Sequence, residues 1–254
     1  MHGGVFAWEI ATRPSKRPLI GGLAVISKPF EKVRDSYDRL AVEYTQRIAG
    51  ELAHKPFDRA LLDAFAALTA TLGPVADLGC GPGHVARYLS ERGVAVTGVD
   101  LSAAMIAQAQ SLHPDIPFRQ GSMIRLDERD ALGGIVAFYS IIHIDRDLQG
   151  AMFSNWRAAL VPGGWLLVSF HAGERDRRLD ELWGLPVTLD FLFFTPDEIE
   201  TRLRAAGFTT VERHERDPYP EVEADTRRCY LLARNGDSEE FSAKPAAGIR
   251  LDGH

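Results

Sequence analysis

Three glycines and a proline stand in VADLGCGPGHVARYL (75–89), between a short apolar segment and an amphipathic one. The first part reads as a buried strand and the last as a helix, with Gly79, Gly81, Pro82 and Gly83 in the turn between them. Glycine lacks a Cβ and enters the left-handed region without strain. The chain can therefore reverse sharply, and another molecule can rest on bare backbone. In an open α/β sheet, that turn lies beyond the carboxyl end of the strand, where ligands gather at the switch point.

The surrounding pattern builds such a sheet. Val33, Tyr37, Leu40, Ala41, Tyr44 and Ile48 recur at helical spacing and predict an amphipathic opening helix. Phe57, Leu61, Leu62, Phe65, Leu68 and Leu72 predict a second, stopped by Gly73-Pro74. Strands follow at 75–78, 94–100, 117–121, 134–143 and 165–171, with helices between them, one of which Ser102 can cap. Thr195-Pro196-Asp197-Glu198 starts a last helix, and two strands near 208–215 and 228–233 follow it with no helix between. Alternating strands and helices imply a parallel sheet covered on both faces, ending in an antiparallel edge. The expected divisions are an irregular arm at 1–30, one domain at 31–234 and a flexible tail at 235–254. A cap insertion falls at about 172–195.

Composition removes several classes of function. A 254-residue chain with 45% hydrophobic residues can bury a full core. A net charge of −6 and the absence of a basic, aromatic-laced stretch argue against nucleic acid or an anionic membrane as partner. Cys80 and Cys229 match no metal or redox spacing, and no metal is expected. With no signal-like or membrane-spanning run, the expected location is the cytoplasm.

Asp100 ends the second strand, seventeen residues after the last glycine, where a carboxylate can accept hydrogen bonds from both hydroxyls of a ribose. A dinucleotide fingerprint would place a third glycine at position 84, which is His84 here. The compressed turn, preceded by Asp77, suits a nucleoside with an amino-acid tail instead.

Four segments in order, DLGCGPG (77–83), TGVDLS (97–102), IVAFYSIIHI (135–144) and LVPGGWLLVSF (160–170), resemble class I S-adenosylmethionine-dependent methyltransferases. The resemblance covers about residues 35–234. It implies an α/β, Rossmann-like, doubly wound seven-stranded sheet of order 3-2-1-4-5-7-6 with strand seven antiparallel. It also implies S-adenosyl-L-methionine as cofactor and S-adenosyl-L-homocysteine as product. Gly79 and Gly81 would contact the methionine portion and Gly83 would complete the turn, while Asp100 would hold the ribose. Leu101, Ser122 and Met123 would border the adenine. Ser122 stands where many relatives carry Asp.

Methyl transfer needs nucleophile, methyl and sulfur in line, and a base only if the acceptor arrives protonated. His143 and Tyr139 are the candidates for that chemistry, with His143 either a base or a positioning group; Tyr139 and Ser140 would also line the cofactor. Tyr37 and Tyr44 share one face of the opening helix, which similar enzymes use as a lid. Tyr37 is the candidate for the cofactor and Tyr44 for the acceptor. His171, Trp183, Phe191, Phe193 and Tyr230 are the remaining acceptor candidates, with Phe194 facing away from Phe191 and Phe193. The expected activity is methylation of a hydroxyl, an amine or an electron-rich ring carbon such as that of an indole. Natural-product or small-metabolite tailoring is the expected setting. The alternatives are a nicotinamide-dependent oxidoreductase and a non-catalytic nucleoside-binding module.

Overall fold

The computed structural model describes residues 27–236. Most of the expected arm and tail therefore lies outside the described residues. Helix α1 (Ser27–Ile48) opens the chain, starting inside the segment read as irregular. A 3-10 turn (Glu51–His54) leads to α2 (Pro56–Thr69). Next come β1 (Val75–Leu78), α3 (His84–Ser90), β2 (Val96–Asp100), α4 (Ala103–Leu112), β3 (Phe118–Gln120) and β4 (Leu132–Phe138). The chain continues through α5 (Arg146–Ala159), β5 (Leu160–Ala172), β6 (Arg177–Leu182) and β7 (Leu185–Phe191). It then forms α6 (Pro196–Ala205), β8 (Thr210–Arg216) and β9 (Arg227–Arg234).

Seven strands form one sheet in the order β3-β2-β1-β4-β5-β9-β8. The first five are parallel, and β9 runs antiparallel to both of its neighbours, which matches the expected topology. Side chains of the central strands alternate between two cores. Ile135 and Ala137 face Phe153 and Trp156 of α5 and Leu203 of α6. Val136 and Phe138 face Leu61 and Phe65 of α2 and Val85 and Leu89 of α3. The period of two in β4 assigns these faces.

Two elements depart from the sequence reading. The fourth strand stops at Phe138 instead of running to His143, because Tyr139 adopts φ 54° and turns the chain. Ile141–His143 then make a 3-10 turn whose isoleucines stay buried, so apolar composition alone imitated a longer strand. The segment expected to be a cap insertion contains a hairpin, β6 with β7, closed by Trp183 and Gly184, both at positive φ. That geometry is the two-residue turn that matches strand twist. Leu179, Leu182, Val187 and Leu189 of the hairpin pack with Leu40 of α1 in a small third core.

Helix α1 is tied down at its side as well. Asp38 accepts from the Ser102 hydroxyl at 2.6 Å and from the Ala104 N–H at 3.1 Å, at the start of α4. An acid there complements the exposed amides of a helix N-terminus. The Ser36 hydroxyl accepts from the Thr188 N–H of β7 at 2.9 Å. No helix among the described residues is long and apolar enough to cross a membrane.

Gly83 caps α3 at φ 81°, and a Cβ there would meet the Phe118 ring at 2.6 Å. Gly83→Ala is expected to cost about 1–3 kcal/mol of stability through left-handed strain and overpacking. Urea unfolding checks this; an unchanged midpoint contradicts it.

Candidate functional site

Beyond the carboxyl ends of β1, β2 and β4 lies a first cavity of about 770 Å³. Gly79 and Gly81 form its floor at φ 72° and 53°. A Cβ on Gly81 would meet only Tyr44, at 3.7 Å, so its backbone is open to a ligand. Gly79 is more constrained, since a Cβ there would collide with the Ser140 side chain. The Ser140 hydroxyl donates to the Leu78 carbonyl at 2.7 Å and fixes that contact.

Asp100 stands at the cavity edge and clamps the turn. Its two carboxylate oxygens accept from the Gly81 N–H at 2.9 Å and the Ser102 N–H at 2.8 Å. Burial raises its pKa, while these amides pull it back down. Each oxygen keeps lone pairs for an incoming hydroxyl. Leu101, Ser122 and Met123 line the same cavity. The Ser122 hydroxyl accepts from the Ile124 N–H at 3.2 Å and keeps its own proton to donate.

A second cavity of about 980 Å³ opens between α1, the hairpin and the sheet. Trp183, Phe191 and Phe193 wall it, with His171 beside them. Phe194 is instead fully buried against Phe170, on the opposite side as the alternation requires. Tyr37, Tyr44 and Tyr139 border both cavities.

His143, on the 3-10 turn, borders the first cavity and meets Tyr37 of α1. Its Nδ1 lies 3.1 Å from the Asp190 carbonyl and its Nε2 lies 2.8 Å from the Tyr37 hydroxyl. A carbonyl only accepts, so Nδ1 carries the proton and Nε2 accepts from Tyr37. Burial pushes the pKa of His143 down to about 4. The ring is therefore neutral near pH 7, and its lone pair is committed to Tyr37.

Three expected site residues line neither cavity. Asp77 is buried beneath the turn, with one carboxylate oxygen unpartnered and its pKa pushed up to about 7 by burial. Gly83 faces Phe118 and His113, so its missing Cβ serves the packing of α3. Tyr230 is fully buried under Tyr139; its hydroxyl donates to Asp58 at 2.9 Å and meets the Tyr139 hydroxyl at 2.7 Å. It supports the site from inside the core.

The sequence reading missed a buried ionic group beside the second cavity. Asp58 lies 2.7 Å from Arg216, which also binds Glu223; Glu223 faces Lys55, and Lys55 faces Glu51. His84, the residue that replaced the third glycine, lies 3.2 Å from Glu51. These residues come from α2, the turn before it, the start of α3 and the 216–228 segment, so apart from the Glu51–Lys55 pair no local spacing links them. Among the described residues, no group of His, Cys, Asp or Glu is arranged to hold a metal.

Residues 75–164, the glycine turn through the start of β5, match the family profile described as a methyltransferase domain. N-demethylindolmycin N-methyltransferase of Streptomyces griseus is 35% identical over 194 residues, which cover 63% of this chain and 79% of that protein. The chain belongs to the class I S-adenosylmethionine-dependent methyltransferases. Among solved structures, the methyltransferase superimposes on DhpI, crystallised with S-adenosylhomocysteine, at a TM-score of 0.61 and 26% identity. That match covers 82% of this chain and 97% of the other. A Burkholderia thailandensis 1,6-didemethyltoxoflavin-N1-methyltransferase shares the fold at a TM-score of 0.64 and 24% identity, over 91% and 98% of the two chains. Membership removes the oxidoreductase alternative, and the methyl donor is S-adenosylmethionine.

The lowered histidines of this methyltransferase predict a pH dependence of stability. His143 and His171 sit near 4 and 3 in the fold, mainly through burial, against about 6.5 when unfolded. Their contribution is present above about pH 6.5 and is lost as pH falls toward those values. Raised Asp77 acts in the opposite sense, favouring the fold below its unfolded value and losing that contribution through about pH 7. The histidine part is therefore read by difference. His143→Gln should lose less stability than wild type between pH 7 and 5 in urea unfolding; parallel losses would contradict it.

Proposed function

We propose that S-adenosylmethionine lies in the first cavity and a small-molecule acceptor in the second. The observation that carries this reading is that Tyr37, Tyr44 and Tyr139 border both cavities, so two molecules would meet at one aromatic partition. The donor residues fit. Gly79 and Gly81 would receive the methionine portion on open backbone, and Asp100 would take the ribose hydroxyls. Leu101, Met123 and Ser122 would border the adenine, with Tyr37 and Ser140 near the sulfur end. Asp77 and Gly83 hold the turn from behind, so their part in binding is indirect.

S-adenosylmethionine supplies a sulfonium methyl for in-line displacement. The chain contributes alignment and exclusion of water, which together remove ~7–11 kcal/mol of such a barrier. Helix α1 acts as the lid and the β6–β7 hairpin as the cap of a domain spanning 31–234. His143 is first a positioning group: it anchors Tyr37, and it takes a proton only after Tyr37 withdraws. Tyr139 lines the partition, with its hydroxyl engaged by Tyr230. The acceptor atom is a hydroxyl, an amine or an electron-rich ring carbon. Tailoring of a small metabolite or natural product is supported by the relative named for indolmycin.

Two measurements test this reading. Asp100→Ala should weaken S-adenosylhomocysteine by about 1–3 kcal/mol through lost charge-assisted hydrogen bonds, as read by isothermal titration. Unchanged affinity would place the ribose elsewhere. Because His143 stays neutral at and above pH 6, its titration should leave no inflection in kcat between pH 6 and 9. An inflection near pH 6.5 that vanishes in His143→Ala would restore His143 as the general base.

A further inference from the structure

The charges around the second cavity divide into a paired set and a single exception. On the floor, Lys55 sits 2.7 Å from Glu51 and 3.2 Å from Glu223, and Arg228 sits 3.4 Å from Glu223. Arg216, just behind, reaches the same Glu223 at 2.6 and 2.8 Å. Despite burial, these cations hold Glu51 and Glu223 near 2, so both are ionised and fully engaged. Arg177 differs. It opens β6 half-buried, with its guanidinium carbon 5.0 Å from the centre of the Phe193 ring. Asp176 beside it is taken by Arg146, and Asp180 by Arg178. Among the described residues, Arg177 has no carboxylate partner.

Three cations, Lys55, Arg177 and Arg228, thus face two carboxylates in this cavity. His171 registers the excess: after burial, Arg228, Lys55 and Arg177 are among the charges that push its pKa down, to about 3. A guanidinium presents planar paired donors that match a carboxylate. In a partly enclosed site, its charge is screened less than at the surface.

We propose that the acceptor is a ring compound bearing a carboxylate, and that Arg177 is the specificity-determining residue that holds it. The proposal rests on the second cavity being the acceptor site. Aromatic side chains order the space from Arg177 toward the methyl donor. Phe193 stacks on His171 with ring centres 5.6 Å apart, and His171 lies 5.3 Å from Tyr139 at the partition. Two rings therefore separate the anion-binding end from Tyr139. A carboxylate bound at Arg177 is held back from the transferred methyl, and a nucleophile at the opposite end of the acceptor is presented to it. The carboxylate is a handle and the methylated atom lies elsewhere.

The test uses the full chain saturated with S-adenosylhomocysteine and titrated with matched probes. These are indole-3-carboxylate against indole-3-carboxamide, and 4-hydroxybenzoate against 4-hydroxybenzamide. At least one acid should bind roughly tenfold or more tightly than its amide, as a charge-assisted pair implies. Arg177→Gln should abolish that preference and Arg177→Lys retain part of it, with S-adenosylhomocysteine affinity the same in all three proteins. Equal binding of acid and amide, no acid binding up to millimolar concentration, or a preference that survives Arg177→Gln would overturn the proposal. Trp183→Ala separates this from the cavity assignment. If it weakens the amides while Arg177→Gln leaves the acid preference intact, the cavity stands and the role of Arg177 falls. If it alters no probe's affinity, the cavity assignment falls and the proposal with it.

Discussion

A carboxylate that must be satisfied at the edge of the first cavity organises that end of the fold. Asp100 terminates β2 and accepts from the Gly81 N–H across the sheet and from the Ser102 N–H ahead of it. These two bonds hold the glycine turn against the start of α4 and set the shape of the first cavity. Ser102 in turn caps α4 and donates to Asp38, which brings α1 across the opening. One acid thus fixes the glycine turn, the capped helix and α1 in a single chain of hydrogen bonds. Charge-assisted bonds of this kind are about twice as strong as neutral ones, and removing one partner leaves a buried polar group unsatisfied.

The first cavity was legible because its signals are local. Glycines at positive φ, an acid at a strand end and a hydroxyl cap announce themselves within thirty residues. Apolar, β-rich composition placed β4 and β5, and the family resemblance supplied the strand order. The second cavity was less legible for physical reasons. Trp183 occupies a left-handed position that short-range turn rules reserve for Gly, Asn or Asp, so the hairpin carried no sequence mark. Tyr139 turns the chain out of β4 against its own conformational preference, while Ile141 and Ile142 keep the composition of a strand. Tyr230 reads like a pocket residue, yet its hydroxyl is spent on Asp58 and Tyr139 in the interior.

The buried ionic group of Glu51, Lys55, Asp58, Arg216 and Glu223 illustrates the same limit. Its members lie in two short segments, 51–58 and 216–223, that become one cluster only when β8 and β9 close the sheet beside α2. Such pairs add little net stability, because desolvation offsets most of their attraction, but breaking one leaves a stranded charge and is costly. Their effect is to give the floor of the second cavity one arrangement. Through Asp58 and Tyr230 that arrangement reaches the Tyr139 hydroxyl. The partition between the cavities is thus supported from two directions, by His143 through Tyr37 and by this cluster through Tyr139.

Helix α1 contributes Tyr37 and Tyr44 to the walls of both chambers. On the proposed assignment the two guests would share a door, and neither would be admitted or released without disturbing the wall that faces the other. Their occupancies would then be thermodynamically linked, and whatever factor one applied to the affinity of the other would be returned in equal measure. A spent donor that relaxed the helix would loosen the methylated product by the same token.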